Sequence, residues 1–149
     1  MAITRYAETS WIGGLTDGAG SIDYVTSGAF SRLPVFWASR TEEPNGKTSP
    51  EELIAAAHAS CFSMALSSRL AKNGTPASRL DVRAVITFDN AGGGWKITQS
   101  ALTVRAAAPG IDAAKLTELA DDAKDNCPVS VALKGNVDIT VHAEVVPAA

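Results

Sequence analysis

Residues 49–74, SPEELIAAAHASCFSMALSSRLAKNG, decide how the chain is read. Ser49 is a candidate N-cap, Pro50 takes the first helical position, where its missing N–H costs nothing, and Glu52 lies three residues after the cap to close a capping box. Asn73 and Gly74 supply the stop. The pattern predicts one helix starting at Pro50, of about twenty-two residues and about 33 Å. From Leu53 to Leu66 nearly every face is apolar, with only His58, Ser60 and Ser63 interrupting, so the helix is expected to be buried on most sides. A chain of 149 residues has difficulty surrounding such a helix, which points to burial against a second copy.

N-terminal to this helix, the first forty residues hold three β-favouring segments, 5–12, 21–26 and 35–39, separated by Gly13, Gly14, Gly18, Gly20 and Gly28. They read as an antiparallel three-strand meander, followed by a loop over residues 39–50. C-terminal to the helix, RLDVRAVITFD (79–89) alternates as a half-buried strand, and Ala91–Gly94 turns it into a partner, WKITQSALTVRA (95–106). The apolar phase of that partner shifts from Trp95 and Ile97 to Leu102 and Val104, which predicts a bulge near Gln99 and Ser100. Asp112 caps a second helix that carries Leu116, Leu119, Ala120 and Ala123 at helical spacing and runs out near Asn126. PVSVALKG reads as a short helix with Pro128 first and Gly135 past its end, and VDITVHAEV (137–145) as a last strand. With no internal repeat or linker, one domain over residues 1–149 is expected, an α+β fold of order βββ-α-ββ-α-β rather than a doubly wound parallel one.

Thirteen basic against sixteen acidic residues give a net charge of −3, which argues against nucleic acid as a partner. No apolar run reaches the roughly 20 residues needed to span a bilayer, and the first residues lack the basic and apolar regions of a signal peptide, so a cytoplasmic protein without membrane insertion is expected. Two cysteines, Cys61 and Cys127, are too few for a disulfide-dense scaffold or a four-cysteine zinc site. A metal site built from both cysteines and both histidines would draw on four distant segments, and Gly92–Gly94 lack the strand-to-helix setting of a phosphate loop. No metal or other cofactor is expected.

The chemistry-bearing residues each have two readings. Cys61 is either a small apolar core residue or a reactive thiol. Cys127 is either a residue suited to a tight turn or a thiol at a helix N-cap, where free amide N–H groups favour a thiolate. Arg40, placed at the end of the third strand, suits a surface pair with Glu42 or Glu43, and Glu51 suits the helix dipole whatever the protein does. His142 falls on the polar phase of the last strand. His58 precedes Cys61 by one turn, a geometry suited to a Cys/His dyad, with no third orienting residue identifiable.

Taken together, TSPEELIAAAHASCFSMAL (48–66), NCPVS (126–130) and APGID before the second helix resemble the OsmC/Ohr family of osmotically induced and organic-hydroperoxide-resistance proteins, in its OsmC branch. The resemblance covers almost the whole chain. It implies a thiol peroxidase for organic hydroperoxides, built as an intertwined homodimer with the cysteine-bearing helices at its centre and active sites at the subunit interface. By position, Cys61 matches the peroxidatic cysteine, Cys127 the resolving cysteine 66 residues later, Glu51 the motif glutamate and Arg40 the arginine of the OsmC branch. The reductant implied is a dithiol such as a lipoylated protein.

The roles make chemical sense. Cleavage of an O–O bond needs an ionised sulfur and a stabilised alkoxide, and an arginine guanidinium oriented by a carboxylate serves both. Ten residues of straight helix separate Glu51 from Cys61 by about 15 Å, so Arg40 is expected to bridge through a bend near the helix start or from a partner subunit. Phe36, Phe62 and Met64 are expected to form an apolar pocket. Against the peroxidase stand a thiol hydrolase using Cys61 with His58, and a non-enzymatic redox sensor or apolar-ligand carrier.

Overall fold

The computed structural model describes residues 1–148. Two compact units divide within one long helix, the first ending at Leu53 and the second beginning at Ile54.

In the first unit, β1 (Ala7–Ile12), β2 (Ala19–Val25) and β3 (Leu33–Val35) form an antiparallel sheet in that order, the expected meander. Trp11 faces Gly20, which faces Val35 across the next strand pair. A Cβ at Gly20 would come within 2.6 Å of the Trp11 ring and 2.8 Å of a Val35 methyl, so glycine is what lets those two side chains flank it. β3 ends at Val35, and beyond Phe36 it would have no ladder partner, because β2 begins at Ala19. The expected strand over residues 35–39 is therefore replaced. Its C-terminal part turns into a one-turn helix, α1 (Ala38–Thr41), and Arg40 lies on that turn rather than at a strand end. The Ser39 hydroxyl anchors the turn, 2.8 Å from the Phe36 carbonyl oxygen and 3.1 Å from that of Thr48.

Helix α2 (Pro50–Lys72) starts where its cap chemistry requires. Ser49 Oγ accepts from the Glu52 amide at 3.2 Å, while the Glu52 carboxylate takes the Thr48 hydroxyl at 2.9 Å instead of reaching back to the cap. The capping box is thus half closed, with threonine supplying the second donor. At the other end, the amides of Gly74 and Thr75 donate to the carbonyls of Ala71 and Leu70, a Schellman stop that places Gly74 at φ +79°. One stripe of α2, running through His58, Phe62, Leu66 and Leu70, is buried. Ala56, Ala57, Ser60, Met64, Ser67 and Ser68 are exposed, so this chain alone covers one side of the helix and not most of it.

In the second unit, β4 (Arg79–Asn90) and β5 (Trp95–Ala107) form a long antiparallel hairpin. Its register passes from Thr87 facing Gln99 to Phe88 facing Ile97, which leaves Thr98 as the extra, bulged residue, next to the expected position. The chain then crosses over through α3 (Ala113–Asn126) and α4 (Pro128–Leu133) to β6 (Asp138–Val145), which pairs parallel with β5. Parallel pairing needs such a crossover, and the two helices provide it. Asp112 caps α3 by accepting from the Lys115 amide at 2.8 Å. The core lies between α2, α3 and one face of the β4-β5-β6 sheet, with Phe62, Leu66, Leu70, Leu102, Val104 and Leu116 buried at its centre. Each such side chain contributes about 1.5–3 kcal/mol relative to exposure. His142 is exposed on the outer face of β6, as its polar phase predicts.

Candidate active site

Cys61 sits in the middle of α2 and is partly buried; Cys127 is fully buried at the joint where α3 ends and α4 begins. That joint follows from sequence. Pro128 can open a helix but cannot continue one, so Cys127 takes extended backbone (φ −60°, ψ 129°) and becomes the N-cap of α4. Both thiols are free, and each acts on the ionisation of the other. Burial pushes the Cys61 thiol up, and its contact with Cys127 pushes it further, against a smaller pull from the Val129 amide. Burial acts on Cys127 in the same sense. It is outweighed there by the favourable influence of the Cys61 thiol, the amide and hydroxyl of Ser130 and the Val129 amide, which leave Cys127 below the ordinary thiol value. Within this unit, then, the surroundings of Cys127 favour its thiolate and those of Cys61 its thiol.

His58 does not form a dyad with Cys61. Its ring is completely buried, and both nitrogens are taken by serines: Nδ1 lies 2.7 Å from Ser100 Oγ on β5, and Nε2 lies 2.8 Å from Ser130 Oγ on α4. Burial lowers its pKa and keeps the ring neutral. Neither serine is identified by sequence reasoning. A signal existed for Ser100, a polar residue on the inward phase of β5 just after the bulge, and for Ser130, three residues after an N-cap.

In the first unit, Arg40 and Glu51 form a fork. Arg40 Nη2 donates to Glu51 Oε1 at 2.6 Å, and Nε lies 3.3 and 3.2 Å from Oε1 and Oε2. The Arg40 side chain is 28% exposed and that of Glu51 10%, so the pair is largely shielded and the bidentate geometry fixes the guanidinium plane. Arg40, rather than pairing with Glu42 or Glu43, takes the glutamate of the α2 first turn and stands 5.4 Å from the centre of the Trp37 ring. A cleft of about 400 Å³ opens beside it, lined by Trp11, Leu15, Phe36, Trp37 and Pro50. Of the three residues expected to form an apolar pocket, only Phe36 lines this cleft. Phe62 belongs to the core of the second unit and Met64 is 67% exposed. Among the described residues no helix is long and apolar enough to cross a membrane.

A fold of this order, with a cysteine on a long central helix and a second before a Pro-started turn of helix, defines a class: the chain belongs to the OsmC-like protein family, whose model matches residues 43–142. It is 38% identical over 139 residues to peroxiredoxin OsmC of Escherichia coli, covering 93% of this chain and 96% of that one. It is 34% identical over 97 residues to the organic hydroperoxide resistance protein of Xanthomonas axonopodis pv. citri, covering 63% and 65%. The crystal structure of the organic hydroperoxide resistance protein OhrB of Bacillus subtilis superposes with a TM-score of 0.70 at 26% identity, over 93% of this chain and 98% of that one.

Proposed function

We propose that this protein is a cysteine-based peroxidase that reduces organic hydroperoxides to alcohols, with Cys61 as the attacking thiol and Cys127 as the resolving thiol. The observation that carries it is the meeting of two free thiols, one partly accessible and one buried, in a chain of the OsmC-like family. The names of the relatives, peroxiredoxin and organic hydroperoxide resistance protein, support the substrate class.

The reaction balances without a cofactor. The Cys61 thiolate attacks the terminal oxygen of the hydroperoxide, the O–O bond breaks, and the alkoxide leaves and takes up a proton to become the alcohol. Cys61 is left as a sulfenic acid. The Cys127 thiolate attacks that sulfur, the S–S bond forms, and hydroxide departs to become water. An external dithiol, such as a lipoyl group on a protein, then reduces the disulfide and is itself oxidised.

The direction of the Cys61 shift makes a requirement explicit. Its thiol is held up by burial and by Cys127, so a cation must offset both to make it reactive. We assign that role to Arg40, with Glu51 fixing its orientation. The same guanidinium donates to the departing alkoxide. The apolar cleft beside Arg40 suits an alkyl or aryl hydroperoxide better than hydrogen peroxide. The exposed small-residue face of α2 and the exposed Trp11, Ile12 and Leu15 support a working homodimer.

The test compares turnover of cumene hydroperoxide and hydrogen peroxide with dihydrolipoamide, for the native protein and for Cys61→Ser. Faster turnover of the organic peroxide, abolished in the variant, is expected. Absence of turnover by the folded, reduced native protein would overturn the peroxidase reading in favour of an apolar-ligand carrier or redox sensor.

A further inference from the structure

The fully buried His58 plays no part in the steps above, yet it is hydrogen-bonded to a serine of the helix that the second thiol caps. A neutral imidazole has one donor and one acceptor, and each serine hydroxyl has one proton. Two arrangements therefore satisfy the chain Ser100, His58, Ser130. In one, Nδ1–H donates to Ser100 and the Ser130 proton is used on Nε2, so Ser130 turns only lone pairs elsewhere. In the other, Ser100 donates to Nδ1 and Nε2–H donates to Ser130 Oγ, which leaves the Ser130 proton free. Ser130 is the third residue of α4 and Cys127 its N-cap, so the two residues lie within one helical turn of each other. The Ser130 hydroxyl is among the groups that hold the Cys127 thiol below its ordinary value.

We propose that His58 is a positioning residue for the resolving thiol: its Nε2–H holds the Ser130 oxygen, so that the Ser130 hydroxyl donates to Cys127 Sγ and stabilises it as a thiolate ready to attack. The neutral state of the ring is part of the device. An imidazolium would donate from both nitrogens and deprive Ser100 of an acceptor, so the second arrangement needs a ring that burial keeps uncharged. Among the described residues no buried side-chain nitrogen or oxygen lacks a partner, so Ser100, His58 and Ser130 are all hydrogen-bonded. The stabilised thiolate attacks the Cys61 sulfenic sulfur; the S–S bond forms as the S–O bond breaks and hydroxide leaves. Ser130 keeps its own proton throughout.

This inference rests on the peroxidase reading for its purpose but not for its measurement. In a Cys61→Ser background Cys127 is the sole thiol, and its ultraviolet thiolate absorbance is titrated without any peroxide. Ser130→Ala and His58→Leu are each expected to raise the Cys127 pKa by about one unit, a tenfold loss of thiolate at a pH below it. The double variant is expected to raise it no further than either single one, because both break one chain. His58→Gln, which returns an N–H donor, is expected to restore most of the shift. Unchanged titrations in both single variants, or shifts that add, would overturn the proposal. Ser130→Ala deletes one hydroxyl and keeps the test available if His58→Leu does not fold, as judged by circular dichroism.

With both cysteines present and one equivalent of cumene hydroperoxide, the variants are expected to consume peroxide at the native rate. They should form the disulfide about tenfold more slowly, with more Cys61 sulfenic acid trapped by dimedone. Peroxide left unconsumed by the native protein would count against the peroxidase reading, while the titration still decides the role of His58.

Discussion

At the scale of single residues, the fork between Arg40 and Glu51 is the feature most sensitive to change. Three nitrogen–oxygen contacts of 2.6–3.3 Å hold the guanidinium plane, and a lysine ammonium could reproduce one of them at most. Arg40→Lys is expected to lower kcat/KM for cumene hydroperoxide by about 100-fold with the fold intact, the size of effect seen when an oriented donor to a developing oxyanion is lost. Steady-state kinetics beside a circular dichroism spectrum checks it; a variant within a few fold of native would remove Arg40 from the mechanism. His58 gives a pH dependence of stability. Its pKa is lowered in the folded protein, so below the ordinary histidine value of about 6.5 the unfolded chain binds a proton that the folded one refuses. Stability from this group is complete above that value and declines as pH falls through it towards the folded pKa. The urea midpoint should therefore fall below about pH 6.5, and the His58→Gln variant should lose that part of the slope.

At the scale of elements, α2 is defined by its two ends and its stripe. Ser49→Ala removes the acceptor for the Glu52 amide and is expected to cost about 1 kcal/mol. Gly74→Ala keeps open space around the new methyl but places it at φ +79°, and a cost of about 1 kcal/mol or somewhat more is expected from backbone strain alone. Urea denaturation of each variant measures both, and a neutral Gly74→Ala would mean that the Schellman stop contributes nothing to stability. The β5 bulge has a functional consequence. Thr98 lets Ile97 and Ser100 share the inward face, and it is Ser100 that reaches His58. Cap chemistry and strand alternation act over a few residues, and for that reason α2, α3, α4 and the hairpin are legible in the sequence. The strand expected over residues 35–39 is not, because where β3 stops depends on the length of β2, its neighbour.

At the scale of the whole molecule, the exposed side of α2 is the surface that a second copy would cover. Met64 stands at the middle of that side and is 67% exposed. Met64→Glu would bury a carboxylate in any homodimer formed through this face, at a cost well above that of losing the methionine contact. It is expected to shift the protein to monomer in analytical ultracentrifugation and to lower peroxidase activity in parallel. A Met64→Glu protein that stays dimeric and fully active would move the interface to another surface.

The sequence by itself determined the α+β order, the start and stop of the long helix, the placement of Cys127 at a helix N-cap and, through its motifs, the family. These are matters of local chemistry, in which a cap, a proline or an alternating phase acts on its near neighbours. Only the tertiary structure decided the three-contact geometry by which Arg40 holds Glu51, eleven residues away, and that His58 is held by serines 42 and 72 residues away. A buried imidazole must find partners wherever packing brings a hydroxyl to it, and distance along the chain carries no information about which hydroxyl that is.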